Sequence, residues 1–342
     1  MIAQYHKLAL TAGFALAMAL TFSCSGDGDD NPPPAAPSGG SSSSGGGSSS
    51  SGGIACATWG DWVITPATCE AKGLKTRTCT SGTASPETEE IPQLNYVWTV
   101  TTSATCVAAG VKTGTCPNNA SPAKTEPIAK LEPTSTQLCD TRDGKLYKFV
   151  TIGEGATAQK WMAENLNYAV GGKCYAEGVD GVSADSIAKN CATYGRLYNW
   201  ATAMGGSNSS TANPSGIQGV CPSGWHLPSD AEWNVLMKFV SPSCTDNGDC
   251  ADAGKKLKAD SPLWNSNGKG TDDYGFSALP GGCGYSNGNF DEVGGYSIWW
   301  SASENDSYYA YYMFMDYSSE YFYYRYDNKG ILYSVRCLQD SP

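Results

Sequence analysis

Histidine is almost missing from this chain: two occur in 342 residues, His6 near the start and His226. A Ser-His-Asp relay would have to run through His226, and a zinc site would need ligands that other residue types must supply. Basic side chains are also few, 22 Lys and Arg against 33 Asp and Glu, giving a formal net charge of −11. They form no basic patch, which argues against a nucleic-acid partner. The apolar run over residues 8–20, broken only by Thr11 and Gly13, is too short for a typical membrane-spanning helix. Residues 31–53 contain no aromatic side chain and are almost wholly Pro, Ala, Ser and Gly, so no core can form there.

What is present gives the chain an address. Lys7 precedes the apolar run, which suits the core of a secretory signal peptide. The run ends at Leu20-Thr-Phe-Ser-Cys24, which resembles the lipobox of bacterial lipoproteins, with Thr21 where leucine is usual. The resemblance implies a signal peptide over 1–23, a lipid on Cys24, and a flexible tether over 24–53. Ordinary cleavage nearby, leaving Cys24 a stray thiol, is the alternative. Ser25-Gly-Asp-Gly-Asp-Asp30 resembles the surface-export tags of some Gram-negative lipoproteins. The expectation is an exported protein, lipid-anchored in the outer membrane at the cell surface, touching the membrane through that lipid only. Fourteen cysteines in such a place should mostly be disulfides.

Residues 54–139 contain an internal repeat, expected as two units over 54–95 and 96–139. Ala67-Thr-Cys-Glu-Ala-Lys-Gly-Leu-Lys-Thr-Arg-Thr-Cys79 realigns with Ala104-Thr-Cys-Val-Ala-Ala-Gly-Val-Lys-Thr-Gly-Thr-Cys116. Units this small need covalent staples. Equal spacing suggests the local bridges Cys69–Cys79 and Cys106–Cys116, with Cys56 and Cys139 bracketing the pair. Trp59-Gly-Asp-Trp62, Gly73 and Arg77 before Cys79 resemble a reduced thrombospondin type 1 repeat, a family that stacks tryptophans between arginines. The second copy has Gly114 where the first has Arg77.

A larger domain is expected over 140–342. Asp143-Gly144 signals a hairpin turn, followed by a strand over 146–152 and a short extended piece at Gln159-Lys-Trp-Met162. Tyr194, Leu197, Tyr198 and Ala201 have helical spacing and predict a helix stopping at Gly205-Gly206. Ser229-Asp-Ala-Glu232 is a capping box for a second helix, whose stripe is Trp233, Leu236, Met237 and Val240. Tyr308-Tyr-Ala-Tyr-Tyr-Met-Phe-Met315 and Tyr321-Phe-Tyr-Tyr-Arg-Tyr326 read as two strands, apolar or aromatic on both faces, so much of the pair must be core. The fold class is α+β, with two helices and short antiparallel strands, preceded by small disulfide-stapled β repeats.

Several phrases occur in order: Asp143-Gly-Lys-Leu-Tyr147, Gln159-Lys-Trp-Met-Ala-Glu-Asn-Leu166, Tyr194-Gly-Arg-Leu-Tyr-Asn-Trp200, Cys221-Pro-Ser-Gly-Trp-His-Leu-Pro228, Asp273-Tyr-Gly-Phe-Ser-Ala-Leu-Pro280, Trp300-Ser-Ala-Ser303 and Ser334-Val-Arg-Cys337. With them the domain resembles the Fibrobacter succinogenes major paralogous domain, a family of exported bacterial proteins similar in plan to C-type lectin-like folds. The resemblance implies paired first and last strands and a loop-rich variable surface. It also implies the bridges Cys221–Cys337, Cys174–Cys191 and Cys244–Cys250, with Cys283 left over.

No catalytic residue is assigned. His226 reads as a packed or helix-capping histidine. The reactive late cysteine pair of the related sulfatase-modifying enzymes has only Cys283 and Cys337 as candidates, and Cys337 is needed for the frame. Carboxylates such as Glu164, Glu232, Asp273, Asp291, Glu292 and Glu304 leave a polysaccharide hydrolase as a third reading. No cofactor is expected apart from calcium, for which Asn265, Asn267, Asp272 and Asp273 offer oxygen ligands on irregular chain. Trp264, Trp299, Trp300, Tyr309, Tyr311 and Tyr323 are the candidate ligand-binding aromatics, able to stack on sugar rings or anchor a protein. The expected function is non-catalytic binding of polysaccharide or another cell-surface ligand; the alternative is a structural role with a cell-envelope protein as partner.

Overall fold

The computed structural model describes residues 56–340. The expected signal peptide, Cys24 and the tether to residue 53 lie outside the described residues. Of two compact units, one takes in Cys79–Ala84 and the described residues up to Thr58; the other is Trp59–Thr78 with the chain from Ser85 onward. The first is closed by Cys56–Cys79, and Thr80 N donates to Thr58 O at 2.9 Å.

The second unit opens with two small antiparallel sheets. β1 (Val63–Thr65), β2 (Gly73–Arg77) and β3 (Glu87–Ile91) form one, and β4 (Val97–Thr102), β5 (Gly110–Thr115) and β6 (Lys124–Ile128) the other. Gly73 and Gly110 open the central strands for the same reason. A Cβ at either would lie 2.4 Å from a backbone nitrogen, that of Ala67 or Ala104, so only glycine fits. The sheets bury little, and their cross-strand ion pairs, Lys75–Glu89 and Arg77–Glu87, are solvated and worth at most about 1 kcal/mol each.

Disulfides therefore hold the repeats, but not in the local pairs that equal spacing suggested. Cys69 is bonded to Cys116 and Cys106 to Cys139, while Cys79 takes Cys56. Cys69 and Cys79 stand at opposite ends of β2, and Cys106 and Cys116 at opposite ends of β5. A strand rises about 3.3 Å per residue, so each expected local pair is held far beyond bridging distance. The first cysteine of each aligned pair instead reaches forward, Cys69 to Cys116 and Cys106 to Cys139. Cys139 lies in β7 (Gln137–Asp140), so the repeats are covalently continuous with the larger domain.

β7 turns through Gly144 (φ +74°) into β8 (Lys145–Ile152), which pairs with β9 (Gln159–Met162). Then come α1 (Ala184–Tyr194), β10 (Leu197–Tyr198), α2 (Trp200–Ala203), β11 (Trp225–His226), α3 (Asp230–Val240) and α4 (Ala253–Leu257). β12 (Gly281–Gly284), β13 (Phe290–Val293), β14 (Tyr296–Glu304), β15 (Tyr309–Asp316), β16 (Tyr323–Asn328), β17 (Tyr333–Ser334) and β18 (Leu338–Gln339) complete the chain. Two five-stranded sheets result, ordered β11-β18-β9-β8-β7 and β10-β17-β14-β15-β16. The last strand pairs with β9, one place in from the start of the domain. The class is mixed, with few helices and many antiparallel strands. Among the described residues, no helix is long and apolar enough to cross a membrane.

α3 forms as its capping box requires: Ser229 Oγ accepts from Glu232 N, Glu232 accepts from Ser229 N, and Trp233, Leu236, Met237 and Val240 are buried. The other expected helix is split. Gly195 sits at φ +76°, and a Cβ there would meet Asn165 at 2.9 Å. Leu197 and Tyr198 then pair with Ser334 and Tyr333 as a strand.

The sheet containing β14 lies between two cores. Ile298, Trp300 and Ala302 face one side with Tyr312 and Tyr333. Trp299 faces the other with Met313, Met315 and Phe322, joining Trp161, Trp233 and Phe276. Burying each such side chain contributes roughly 1.5–3 kcal/mol. Cys174–Cys191, Cys221–Cys337 and Cys244–Cys250 are bonded, and Cys283 is a buried free thiol.

Candidate functional site

The turn after Met315 fixes the register of β15 and β16, setting Tyr311 opposite Tyr326 and Met313 opposite Tyr324. Strand alternation then places Tyr309, Tyr311, Met313 and Met315 on one face with Tyr324 and Tyr326. The inner half of that face, Met313 and Met315, enters the core. The outer half is open: Tyr309 is 40 % exposed and Tyr326 52 %. Tyr311 stacks on Tyr324 (4.8 Å between centroids, 22°), while Tyr326 stands edge-on to Tyr309 (72°) and to Tyr311 (85°).

Polar groups rim these rings. Tyr311 Oη donates to Asn305 Oδ1 at 3.0 Å, and Tyr324 Oη to Asp230 Oδ2 at 3.4 Å. Asp306 Oδ1 accepts from the backbone nitrogens of Tyr308 (2.7 Å) and Tyr309 (2.9 Å), of which the first contributes most to holding its carboxyl below the usual range. Burial, and then the charge of Asp230, push the Tyr324 hydroxyl well above the ordinary tyrosine range, so it stays a donor.

The six candidate aromatics do not come together. Trp264 is 3 % exposed, and Trp299 and Trp300 are fully buried, so none can stack on an external ring. Their indole N–H groups are spent inside, on Ala278 O (3.2 Å), Asn165 Oδ1 (2.8 Å) and Tyr198 O (2.8 Å). Tyr323 belongs to the opposite hairpin face, stacked on Phe314 (4.5 Å) with Arg325 over its ring at 5.4 Å. Tyr309 and Tyr311 remain, joined by Tyr324 and Tyr326, which sequence reasoning did not select. The signal for them lay in the alternation of the second strand, readable once its register against the first is known.

The expected calcium loop forms tight turns. Asn265 N donates to Gly294 O (2.8 Å), and Ser266, Asn267 and Asp272 have left-handed backbone. Asp272 directs both carboxylate oxygens at Ser277, accepting from its N and its Oγ at 2.7 Å each. Asp273 N donates to Lys256 O at 2.8 Å. Among the described residues, no three His, Cys, Asp or Glu side chains converge as metal ligands.

His226 is held from both sides, Nε2 2.8 Å from Glu232 Oε1 and Nδ1 2.7 Å from Asp340 Oδ1. Neither nitrogen is left to take a proton from a serine. Glu232 Oε2 accepts from Ser229 N and Ser215 N, so the group ties together β11, α3 and two loops. Cys283 is as inert as its burial demands, its thiol pushed up to about 11. A cleft of about 810 Å³ opens between the second repeat and β8, lined by Thr105, Leu131, Lys145, Glu164 and Thr193. Its charged groups are internally engaged, Lys145 with Asp143 (3.1 Å) and Glu164 with Lys148 (4.0 Å).

Beneath that cleft two of the ordered sequence phrases meet. Arg336 is 1 % exposed and pairs with no carboxylate among the described residues; Asn165 Oδ1 accepts from its Nε (3.1 Å) and Nη2 (2.8 Å) as well as from Trp299 Nε1. Its Nη1 donates to Phe276 O, and the guanidinium lies 4.3 Å from the Phe276 ring. Burial lowers its pKa to about 9. The model of the Fibrobacter succinogenes major domain matches residues 150–339, more than half of the chain. The chain belongs to this family. Within the major domain, Asn165 and Arg336 form a structural knot, and the outer half of the β15–β16 tyrosine face stays open to solvent. No curated protein and no solved structure matches the chain.

Proposed function

We propose that this protein is a non-catalytic surface lipoprotein whose major domain, lectin-like in plan, binds polysaccharide. The observation that carries the reading is the open outer half of the hairpin face, where Tyr309 and Tyr326 offer ring surface next to Tyr311, bonded to Asn305, and Tyr324, bonded to Asp230. Aromatic faces take the apolar faces of sugar rings, and nearby amide and carboxylate oxygens accept sugar hydroxyls. The mixed α+β layout and the long-range Cys221–Cys337 bridge support the lectin-like plan. The lipobox-like phrase ending at Cys24 supports a lipid anchor, and the tether behind it would carry the domain clear of the outer membrane.

Retention of the full chain on insoluble xylan, chitin or cellulose tests the reading. Binding is expected, with Tyr309→Ala and Tyr326→Ala each reducing it about tenfold while leaving the thermal midpoint in place. A second reading, assembly with an envelope protein, draws on the repeats. Their edge strands β1 and β4 expose β-branched side chains, Val63 at 71 % and Val97 at 60 %, of the kind that accept a partner strand. Failure to bind any glycan, with a protein recovered by crosslinking through β1 or β4, would reverse the order of the two.

A further inference from the structure

The tyrosine face has a shape and a charge that narrow what it can hold. A crystalline polysaccharide presents a plane, and rings that grip it must share one. Here Tyr326 stands at 72° to Tyr309 and 85° to Tyr311. Two exposed rings at such angles can be covered together only by a chain that turns between them.

The charge is one-sided. Asp230 and Asp306 border the face together with the amides of Asn305 and Asn328. The hairpin's own cation and the lysine that follows it are already engaged. Arg325 is bonded to both oxygens of Asp249 (2.5 and 2.8 Å) and covers Tyr323 on the opposite face. Lys329 pairs with Glu304 at 2.5 Å, donates to Asp306 O at 2.8 Å and lies over the Trp200 ring at 4.4 Å, so it is already spent at the border of the face. A uronate or sulfated polymer would bring like charge against these carboxylates, with Arg325 and Lys329 both already paired.

We infer that the hairpin selects an uncharged glycan in single-chain, non-crystalline form, its sugar faces on Tyr309 and Tyr326 and its hydroxyls donating to Asp230 and Asn305. This rests on the reading of the hairpin as a polysaccharide site. Titration calorimetry of the full chain with xyloglucan, galactomannan and arabinoxylan, beside polygalacturonate and pull-down on microcrystalline cellulose and chitin, tests it. The expected result is saturable binding to at least one neutral soluble glycan, with polygalacturonate at least about tenfold weaker at low salt. Tyr326→Ala should weaken the neutral interaction about tenfold, and Tyr326→Phe should keep it within about twofold, since the ring and not the hydroxyl makes the contact. Equal or tighter binding of polygalacturonate overturns the inference, as does retention on the crystalline solids without binding to any neutral soluble chain. Both outcomes leave polysaccharide binding standing. Silence in every arm overturns that wider reading and the inference with it.

Discussion

Asn165 ties together several parts of the interior of the major domain. Its single oxygen collects three donors, and its Nδ2 reaches Tyr194 O (3.0 Å) and Ser334 Oγ (3.2 Å), so one amide joins β14, β17 and the end of α1. Removing it strands a buried cation. Asn165→Leu should cost about 3–5 kcal/mol in denaturant unfolding. Arg336→Met should cost less, because it removes the charge and leaves Asn165 Oδ1 still paired with Trp299; the comparison of the two midpoints checks this order. In the sequence the two residues belong to separate phrases. Nothing local says that they touch, since a contact between positions 165 and 336 is made by folding alone. The same blindness hid the tryptophans. Trp299 and Trp300 are neighbours on a strand whose two faces are both core, and composition cannot distinguish that from display.

Elements were legible where their causes are local. α3 carries its start signal and its apolar stripe within a dozen residues, and the Asp143-Gly144 turn and the strand after it were equally plain. The run from Tyr194 to Ala201 has helical spacing too, but a nonlocal strand partner at Tyr333 and Ser334 wins over it. Equal spacing favours local pairing of the repeat cysteines, and only the length of the intervening strand overrules it. At this scale β11, α3 and Asp340 are joined through His226, which gives the domain a pH dependence. Burial alone would lower the imidazole's pKa; hydrogen bonds and charge from Glu232, then Asp340, outweigh it, and the net shift is upward. A group raised in the folded state stabilises fully below its unfolded pKa, near 6.5, and loses that contribution as pH rises through the folded value. The thermal midpoint should therefore fall from about pH 6.5 upward on this account, and His226→Gln should flatten the profile over the same range.

For the whole molecule, covalent bonds replace the core that the repeats lack. Opening Cys221–Cys337, with a sequence separation of 116, should cost roughly 5 kcal/mol by chain entropy, measurable as a shift of the denaturant midpoint in the Cys221→Ala/Cys337→Ala double variant. Peptide mapping without reduction should recover Cys69–Cys116 and Cys106–Cys139 and no fragment joining Cys69 to Cys79. The staggered order of the repeat bridges also sets how these units would carry tension. A pull entering at Cys56 crosses to Cys79 and runs back along β2 to Cys69. It then crosses to Cys116, runs back along β5 to Cys106, and crosses again to Cys139 at the threshold of the major domain. The backbone from Cys56 to Cys69, which carries β1, runs in parallel with the first leg, while strands β3, β4 and β6 lie outside both. Under such a pull the sulfur bridges and the central strands β2 and β5 would take the load first.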